Sequence, residues 1–156
     1  MAGTQGQYSA ILQDSEGDYQ IYVSGIDTGF VISGTDGSRT VQFYTMTVRI
    51  TDDTLWTDAA VTLRDASNQL AGVLAYAQGS GTTSVYTKIL QYSDTTYEVY
   101  VDGRDTHTTL NSGAADEVSL QYYTASVTVE GNIPSPQISM TNGTETYNFS
   151  GASGSY

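Results

Sequence analysis

The sequence predicts an all-β protein made of two tandem antiparallel β-sandwich modules. Three observations carry this prediction: the composition favours strands, apolar and polar residues alternate along short segments, and part of the chain is repeated. Of the 156 residues, 13 are Tyr and 16 are Gly, and Ser and Thr are abundant. Thr and Tyr favour strands, whereas Gly and Ser disfavour helices. We therefore expect short strands along the whole chain.

The repeat is the strongest signal in the sequence. Residues 8–28 match residues 86–106 at eleven of twenty-one positions. The match resumes between 41–50 and 120–129, with a shift of a single position relative to the first alignment. Chance does not account for similarity over this length, so the repeat predicts an internal duplication.

A third similarity involves the C-terminal segment 137–149, which aligns with 60–72. In this alignment Ile138 matches Val61 and Met140 matches Leu63. Nothing equivalent to 60–72 precedes the first copy. We therefore expect 137–149 to complete the first module, in the same chain or in a neighbouring subunit. The predicted division is 8–50 for module one, 51–59 for a linker, 60–130 for module two, 137–149 for the completing strands and 150–156 for a flexible tail.

Alternation and turn residues define the predicted strands. Tyr97, Val99 and Val101 fall on one face of a strand, as expected for a period of two residues. Gly25 and Gly103 are predicted to supply the turns after two equivalent strands. Asp27 and Asp105 follow these turns at equivalent positions, where we expect side-chain bonds to the backbone. Tyr44, Met46, Val48 and Ile50 likewise alternate with Thr45, Thr47 and Arg49.

Charge and composition exclude several function classes. The formal net charge is −12, there is no Cys, and His107 is the sole histidine. Cysteine chemistry is impossible, and an acidic chain is a poor ligand for nucleic acid. No apolar run is long enough to cross a membrane. No set of nucleophile, base and orienting group is recognisable, so we expect no enzyme activity and no cofactor. The acidity fits either a salt-rich environment or ordinary acidic surface loops.

The remaining candidates for chemistry are few. Asp14, Glu16 and Asp18 place three carboxylates in one loop, which indicates either a calcium site or an acidic turn. His107 occupies a turn position held by Gly29 in the other copy, which is typical of a solvated loop residue.

Aromatic residues indicate possible interfaces. Trp56, the single tryptophan, is a candidate binding residue that either stacks on a ligand or packs between modules. Because adjacent residues of a strand face opposite sides, Tyr122 and Tyr123 cannot both point inward. The predicted interface residues are Tyr44, Tyr122, Tyr123, Ile138 and Met140.

The segments VTLRD (61–65), YTKIL (86–90), TYEVYVDGRDT (96–106) and LQYYTASVTV (120–129) resemble prealbumin-like repeats. Such repeats, also described as collagen-adhesin B-type or Ig-like β-sandwich modules, occur in bacterial surface proteins and in structural proteins of tailed viruses. The resemblance covers roughly 8–50 and 60–129. It implies a structural module. The sequence departs from the adhesin modules that form an isopeptide bond through a Lys–Asn–acid set, since Lys88 is matched by Ala10 in the other copy.

We therefore expect a non-enzymatic virion surface protein of a tailed virus, either a capsid decoration or a fibre-like component. Its expected partners are further copies of itself and a capsid or other structural protein. The alternative is an adhesin module on a microbial cell surface that binds a carbohydrate or a host molecule.

Overall fold

The structure is a computed structural model, and it describes residues 6–7, 10, 17–33, 37–123, 125–131 and 137–149. These residues form strands and no helix, which confirms the all-β prediction. The strands are β1 (Asp18–Val23), β2 (Ile26–Ser33), β3 (Phe43–Thr51), β4 (Val61–Arg64), β5 (Leu70–Val73), β6 (Ala75–Ser80), β7 (Thr83–Gln91), β8 (Thr96–Val101), β9 (Arg104–Asn111), β10 (Asp116–Gln121), β11 (Ser139–Thr141) and β12 (Thr146–Asn148).

Two four-stranded sheets form the centre of the molecule. The first has the strand order β10-β3-β7-β6 and the second has the order β5-β4-β8-β9. The two sheets contribute side chains to one buried cluster, an arrangement consistent with a β-sandwich. Its fully or almost fully buried members are Met46, Val48, Ile50, Val61, Leu63, Leu74, Tyr86, Val99, Val101 and Leu110.

The core follows the predicted alternation. In β3, Met46, Val48 and Ile50 are buried, whereas the intervening Thr47 and Arg49 are partly exposed. In β8, Val99 and Val101 are buried in the same way. Removing these apolar side chains from water stabilises the fold, since burial is worth about 25 cal/mol per Å² of apolar surface.

One strand departs from the predicted antiparallel arrangement. β10 pairs with β3 in parallel, from Asp116 opposite Met46 to Gln121 opposite Thr51. A parallel neighbour cannot be reached through a tight hairpin. β10 instead follows β9, the edge strand of the second sheet, through a short connection at residues 112–115. It enters the first sheet from the other layer, so no hairpin imposes an antiparallel direction.

β3 lies before the predicted linker in sequence but pairs with strands that lie after it. The sequence pattern assigns β3 to module one (8–50), yet β3 lies between β7 and β10 of module two (60–130). The segment 51–59 therefore leads from β3 in the first sheet to β4 in the second. The division of the chain into two modules stays a prediction, and strand order shows that β3 is shared with the later segment.

Outside the two sheets, β1 and β2 form a hairpin whose register matches that of β8 and β9. Asp18 faces Ser33 and Tyr22 faces Asp27 in the first hairpin. The equivalent positions of the second copy, Thr96 with Asn111 and Tyr100 with Asp105, are paired in the second hairpin. Both ladders are interrupted at the same place, between Gln20 and Tyr22 and between Glu98 and Tyr100.

The two hairpins share their turn chemistry. Gly25 and Gly103 adopt φ angles of 80° and 79°, as the sequence predicts for these turns. Glycine suits this left-handed region because it lacks a Cβ. Asp27 accepts a hydrogen bond from Gly29 N at 2.8 Å, and Asp105 accepts one from His107 N at 2.7 Å. The predicted side-chain bonds of both aspartates are thus confirmed.

A further hairpin, β11–β12, resembles β4–β5 in its turn. Asp65 Oδ1 accepts a hydrogen bond from Ser67 N at 2.8 Å. Asn142 Oδ1, at the aligned position, accepts one from Thr144 N at 2.9 Å. In the described part of the chain, β11 and β12 form a separate two-stranded sheet.

The core makes a direct prediction about stability. Leu63→Ala should lower the free energy of unfolding by about 2–5 kcal/mol, because it removes a fully buried side chain and leaves a cavity. Urea unfolding monitored by circular dichroism measures this loss. Ile89→Ala is the matched control, since Ile89 is 58% exposed, and should cost no more than about 0.5 kcal/mol. Equal losses in the two variants would contradict the described core.

Candidate functional site

Trp56 lies at one end of the sandwich and donates two hydrogen bonds. Its backbone N donates to Ser84 Oγ at 2.9 Å. Its indole Nε1 donates to Asp52 Oδ2 at 2.8 Å. Asp52 is itself 8% exposed and also accepts a bond from Asp53 N at 2.7 Å. The indole is therefore fixed in orientation by the fold.

Tyr86 connects the Trp56 segment to the core. Its hydroxyl donates to Trp56 O at 3.0 Å and accepts from Ala59 N at 3.1 Å. The Tyr86 ring also packs edge-on against Tyr76, with the ring centroids 5.7 Å apart. Burial raises the pKa of the Tyr86 hydroxyl above its ordinary value of 10.0, because the charged form would lose its hydration.

Tyr122 packs against the indole of Trp56. The ring centroids of Trp56 and Tyr122 are 4.9 Å apart and the planes are tilted by 36°. Tyr122 N donates to Thr51 O at 2.8 Å, which extends the β10–β3 ladder beyond its last strand residue. Burial, reinforced by the nearby carboxylate of Asp102, raises the pKa of the Tyr122 hydroxyl.

An open cleft of about 300 Å³ adjoins this cluster and is lined by Trp56, Asp58, Ala59 and Asp102. Asp102 occupies the β8–β9 turn with a φ angle of 50°, and its Oδ1 accepts from Ala60 N at 2.8 Å. The cleft thus combines an aromatic ring with two carboxylates. Such a surface can accept hydrogen bonds from hydroxyl or ammonium groups of a ligand.

The predicted interface residues fall into two groups. Tyr44 and Tyr122 are half-buried and pack against the core of their own sandwich. Tyr44 also contacts Tyr92 edge-on at 6.3 Å. Tyr123 is 79% exposed and Met140 is 47% exposed, whereas Ile138 is half-buried. Tyr123 and Met140 are thus the most accessible members of the predicted set.

The candidate metal and histidine residues are located as follows. Asp14 and Glu16 lie outside the described residues, and Asp18 is exposed at the start of β1. Across the described ranges, no group of three His, Asp or Glu side chains is arranged to hold a metal ion. His107 has an exposed side chain with Nδ1 3.3 Å from Asp105 Oδ2. Its backbone φ of 56° matches the left-handed conformation of Gly29.

Several residues of this end were not identified as site residues from the sequence, namely Ser84, Tyr86 and Asp102. Ser84 could have been identified from its position in the strand pattern. It stands two residues before Tyr86 on the inward face of β7 and is fully buried. A hydroxyl at an inward strand position requires a hydrogen-bond partner, because burying it unpaired is costly. Its partner, Trp56 N, is 28 residues away in sequence, which local pattern could not reveal.

Tyr86→Phe tests the contribution of the Tyr86 hydroxyl. The variant keeps the ring but leaves Ala59 N without its acceptor, so we expect a loss of about 1–3 kcal/mol at neutral pH. The raised pKa adds a pH dependence. The unfolded chain loses the Tyr86 proton near pH 10.0 while the folded chain retains it. The difference in free energy of unfolding between the wild type and Tyr86→Phe should therefore shrink as pH rises above that value.

Urea unfolding from neutral pH to about pH 11 measures this difference, since tyrosine ionises in that range. Tyr123→Phe is the control because Tyr123 is 79% exposed, and it should match the wild type throughout. A stability difference between the wild type and Tyr86→Phe that does not change with pH would contradict the raised pKa of the Tyr86 hydroxyl.

No protein-family model matches the sequence, and the chain likewise matches no curated protein. The fold and the geometry of its surfaces therefore provide the basis for a functional proposal. No helix capable of crossing a membrane is present in the described part of the chain.

Proposed function

We propose that the protein is a non-enzymatic structural component of a virion surface, a capsid decoration or fibre-like protein of a tailed virus. The observation that carries this proposal is the recurrence of one hairpin, with the same register and the same turn bonds, at two equivalent places in the chain. Recurring β-units of this kind build extended assemblies by contact between neighbours. We interpret the two hairpins as equivalent parts of duplicated prealbumin-like modules.

The polar groups at the Trp56 end support a structural role. Asp52, Ser84 and the Tyr86 hydroxyl all bond to the Trp56–Ala59 segment. These groups hold the β3–β4 connection in place. Reactive chemistry would require a nucleophile within reach of a base, whereas these polar groups are engaged in bonds within the chain.

The surface also suits dense display. A net charge of −12 on 156 residues makes neighbouring copies repel one another at a distance. Exposed apolar side chains such as Tyr22, Leu70 and Tyr123 offer contact points at short range. On this proposal the partners are further copies of the chain and a capsid or other structural protein, and the location is the virion surface.

Co-sedimentation with a capsid shell tests this proposal. The probe is the empty shell assembled from the major capsid protein encoded in the same genome as this chain. We expect binding that saturates at a fixed ratio of chain to capsid protein, because decoration sites are set by shell symmetry. Serum albumin, another acidic protein, is the control for trapping. A genome without a capsid gene, or a chain that stays in the supernatant, would contradict the proposal.

The cleft beside Trp56 favours a second candidate function, a carbohydrate-binding adhesin module on a microbial surface. Sugars present apolar faces that stack on aromatic rings, and their hydroxyls donate to carboxylates. Trp56, Asp58 and Asp102 supply this combination.

A glycan array separates the two functions. The adhesin candidate predicts binding that is lost in Trp56→Ala and weakened at least about tenfold in Asp58→Asn, the loss of one charged hydrogen bond. Because Trp56 is also structural, Asp58→Asn is the cleaner variant. Asp94→Asn, an exposed aspartate outside the cleft, is its matched control. Absence of glycan binding by the wild type would exclude this candidate and leave the structural proposal standing.

A further inference from the structure

In the part of the chain that the structure describes, no strand pairs with the edge of β1 at residues 20–23 that faces away from β2, whereas the equivalent strand β8 is paired on both edges. β8 lies between β4 and β9 in its sheet. Within the described ranges, β1 has one strand neighbour, β2. An open strand edge presents backbone N–H and C=O groups and is a template for another strand.

The equivalence of the hairpins identifies the missing neighbour. β4 pairs with β8 through Val61 opposite Val101 and Leu63 opposite Val99. The segment equivalent to β4 is β11, which begins a hairpin with a similar turn. Transferring the β4–β8 register to the aligned positions places Ile138 opposite Val23 and Met140 opposite Ile21.

The side chains brought together are apolar and incompletely covered. Val23 is 36% exposed and Met140 is 47% exposed, whereas Ile21 and Ile138 are half-buried. Their equivalents in the sandwich are buried almost completely: Val99, Val101, Val61 and Leu63. Adding β11 to β1 would therefore bury these apolar side chains and also provide hydrogen-bond partners for the backbone along the edge of β1.

The two hairpins contact opposite ends of the sandwich. Thr28 O of the N-terminal hairpin accepts a hydrogen bond from Gln91 Nε2 at 2.9 Å. Gln91 is at the end of the β3–β7 ladder where β3 begins, opposite Phe43. Tyr147 of the C-terminal hairpin lies under Arg104, with the guanidinium carbon 4.2 Å from its ring centroid.

Arg104 follows the Asp102 turn, which lines the Trp56 cleft at the other end of the ladder. The ladder pairs nine residues of β3, and a strand of that length spans about 30 Å. The N-terminal hairpin therefore contacts one end of the sandwich and the C-terminal hairpin contacts the other.

We infer that β11 of one copy adds antiparallel to the open edge of β1 in a second copy, so that copies join head to tail. Because β1 and β11 are different surfaces, pairing that continues in one direction extends into a ring or a chain of copies, whereas a reciprocal exchange between two copies would stop at a dimer. The inference deepens the proposed structural role, on which it rests, by naming the contact between copies. It does not require a capsid.

Cysteine cross-linking tests the inference because the natural chain contains no Cys. Ile21→Cys and Met140→Cys are made as separate single variants and mixed. Directly opposed residues of antiparallel strands have Cα atoms about 4.5–5.5 Å apart, within the range of a disulfide. Oxidation should give a heterodimer between the two variants. Salt at about 0.5 M screens the repulsion between the acidic chains.

A variant that carries both Ile21→Cys and Met140→Cys distinguishes pairing between two copies from pairing within one chain. Head-to-tail pairing predicts a ladder of covalent oligomers that lengthens with protein concentration. Ile89→Cys replaces Ile21→Cys in the matched control, since Ile89 is 58% exposed on β7, and should give only background cross-linking.

A monomeric double variant with an internal disulfide would overturn pairing between copies. So would a mixture of single variants, folded by circular dichroism, that cross-links no better than the Ile89→Cys control. Shell co-sedimentation of the wild type is measured separately, so the inference can fail while the proposed function stands.

Discussion

Nine consecutive residues of β3 pair with β7, and this ladder is the constraint on which the rest of the structure depends. β3 is also paired with β10 along its other edge. The same strand contributes Met46, Val48 and Ile50 to the core shared with the second sheet. Because β3 is paired on both edges from Met46 to Thr51 and buries one face, its position fixes the layer against which β4 and β8 pack.

Local signals in the sequence predict the elements well. Alternation identifies the inward residues of β3 and β8, because the side-chain period of a strand is two. Gly25 and Gly103 mark the hairpin turns because few other residues tolerate their positive φ angles. The Asp27 and Asp105 bonds follow from the same local chemistry. Each of these features depends on residues a few positions apart.

The pairing of strands that are far apart in sequence cannot be predicted from local sequence patterns. β10 is parallel to β3 because the chain crosses between layers after β9, and neither strand carries a signal of that direction. At the Trp56 end, Asp52 and Ser84 resemble ordinary polar residues of a loop and a strand. Their role arises from contact with Trp56, and for Ser84 that contact spans 28 residues of sequence. The repeat carried long-range information for the two hairpins, whose equivalent residues adopt equivalent pairings. It failed for the second matched segment, because 43–50 belongs to β3 whereas the matching residues 122–123 and 125–129 are not in strands.

The two ends of the sandwich therefore differ in character. The Trp56 end is polar, internally bonded and close to the C-terminal hairpin. The Gln91 end contacts the N-terminal hairpin, in which β1 pairs with β2 alone among the described strands. On the pairing that we infer, β11 of one copy meets β1 of the next, so that copies assemble linearly. The net charge of −12 makes neighbouring copies repel one another at a distance. Function would then reside in how copies are arranged, with the sandwich serving as the rigid spacer.

Hydrogen–deuterium exchange in a dilute and a concentrated sample tests the central claim most directly, because it reports strand pairing segment by segment. The central ladder predicts slow exchange of β3 and β7 amides at both concentrations. Head-to-tail pairing predicts that β1 and β11 exchange slowly only in the concentrated sample, where β11 of one copy covers β1 of the next. Exchange in β1 and β11 that is independent of concentration, with β3 still protected, would contradict it.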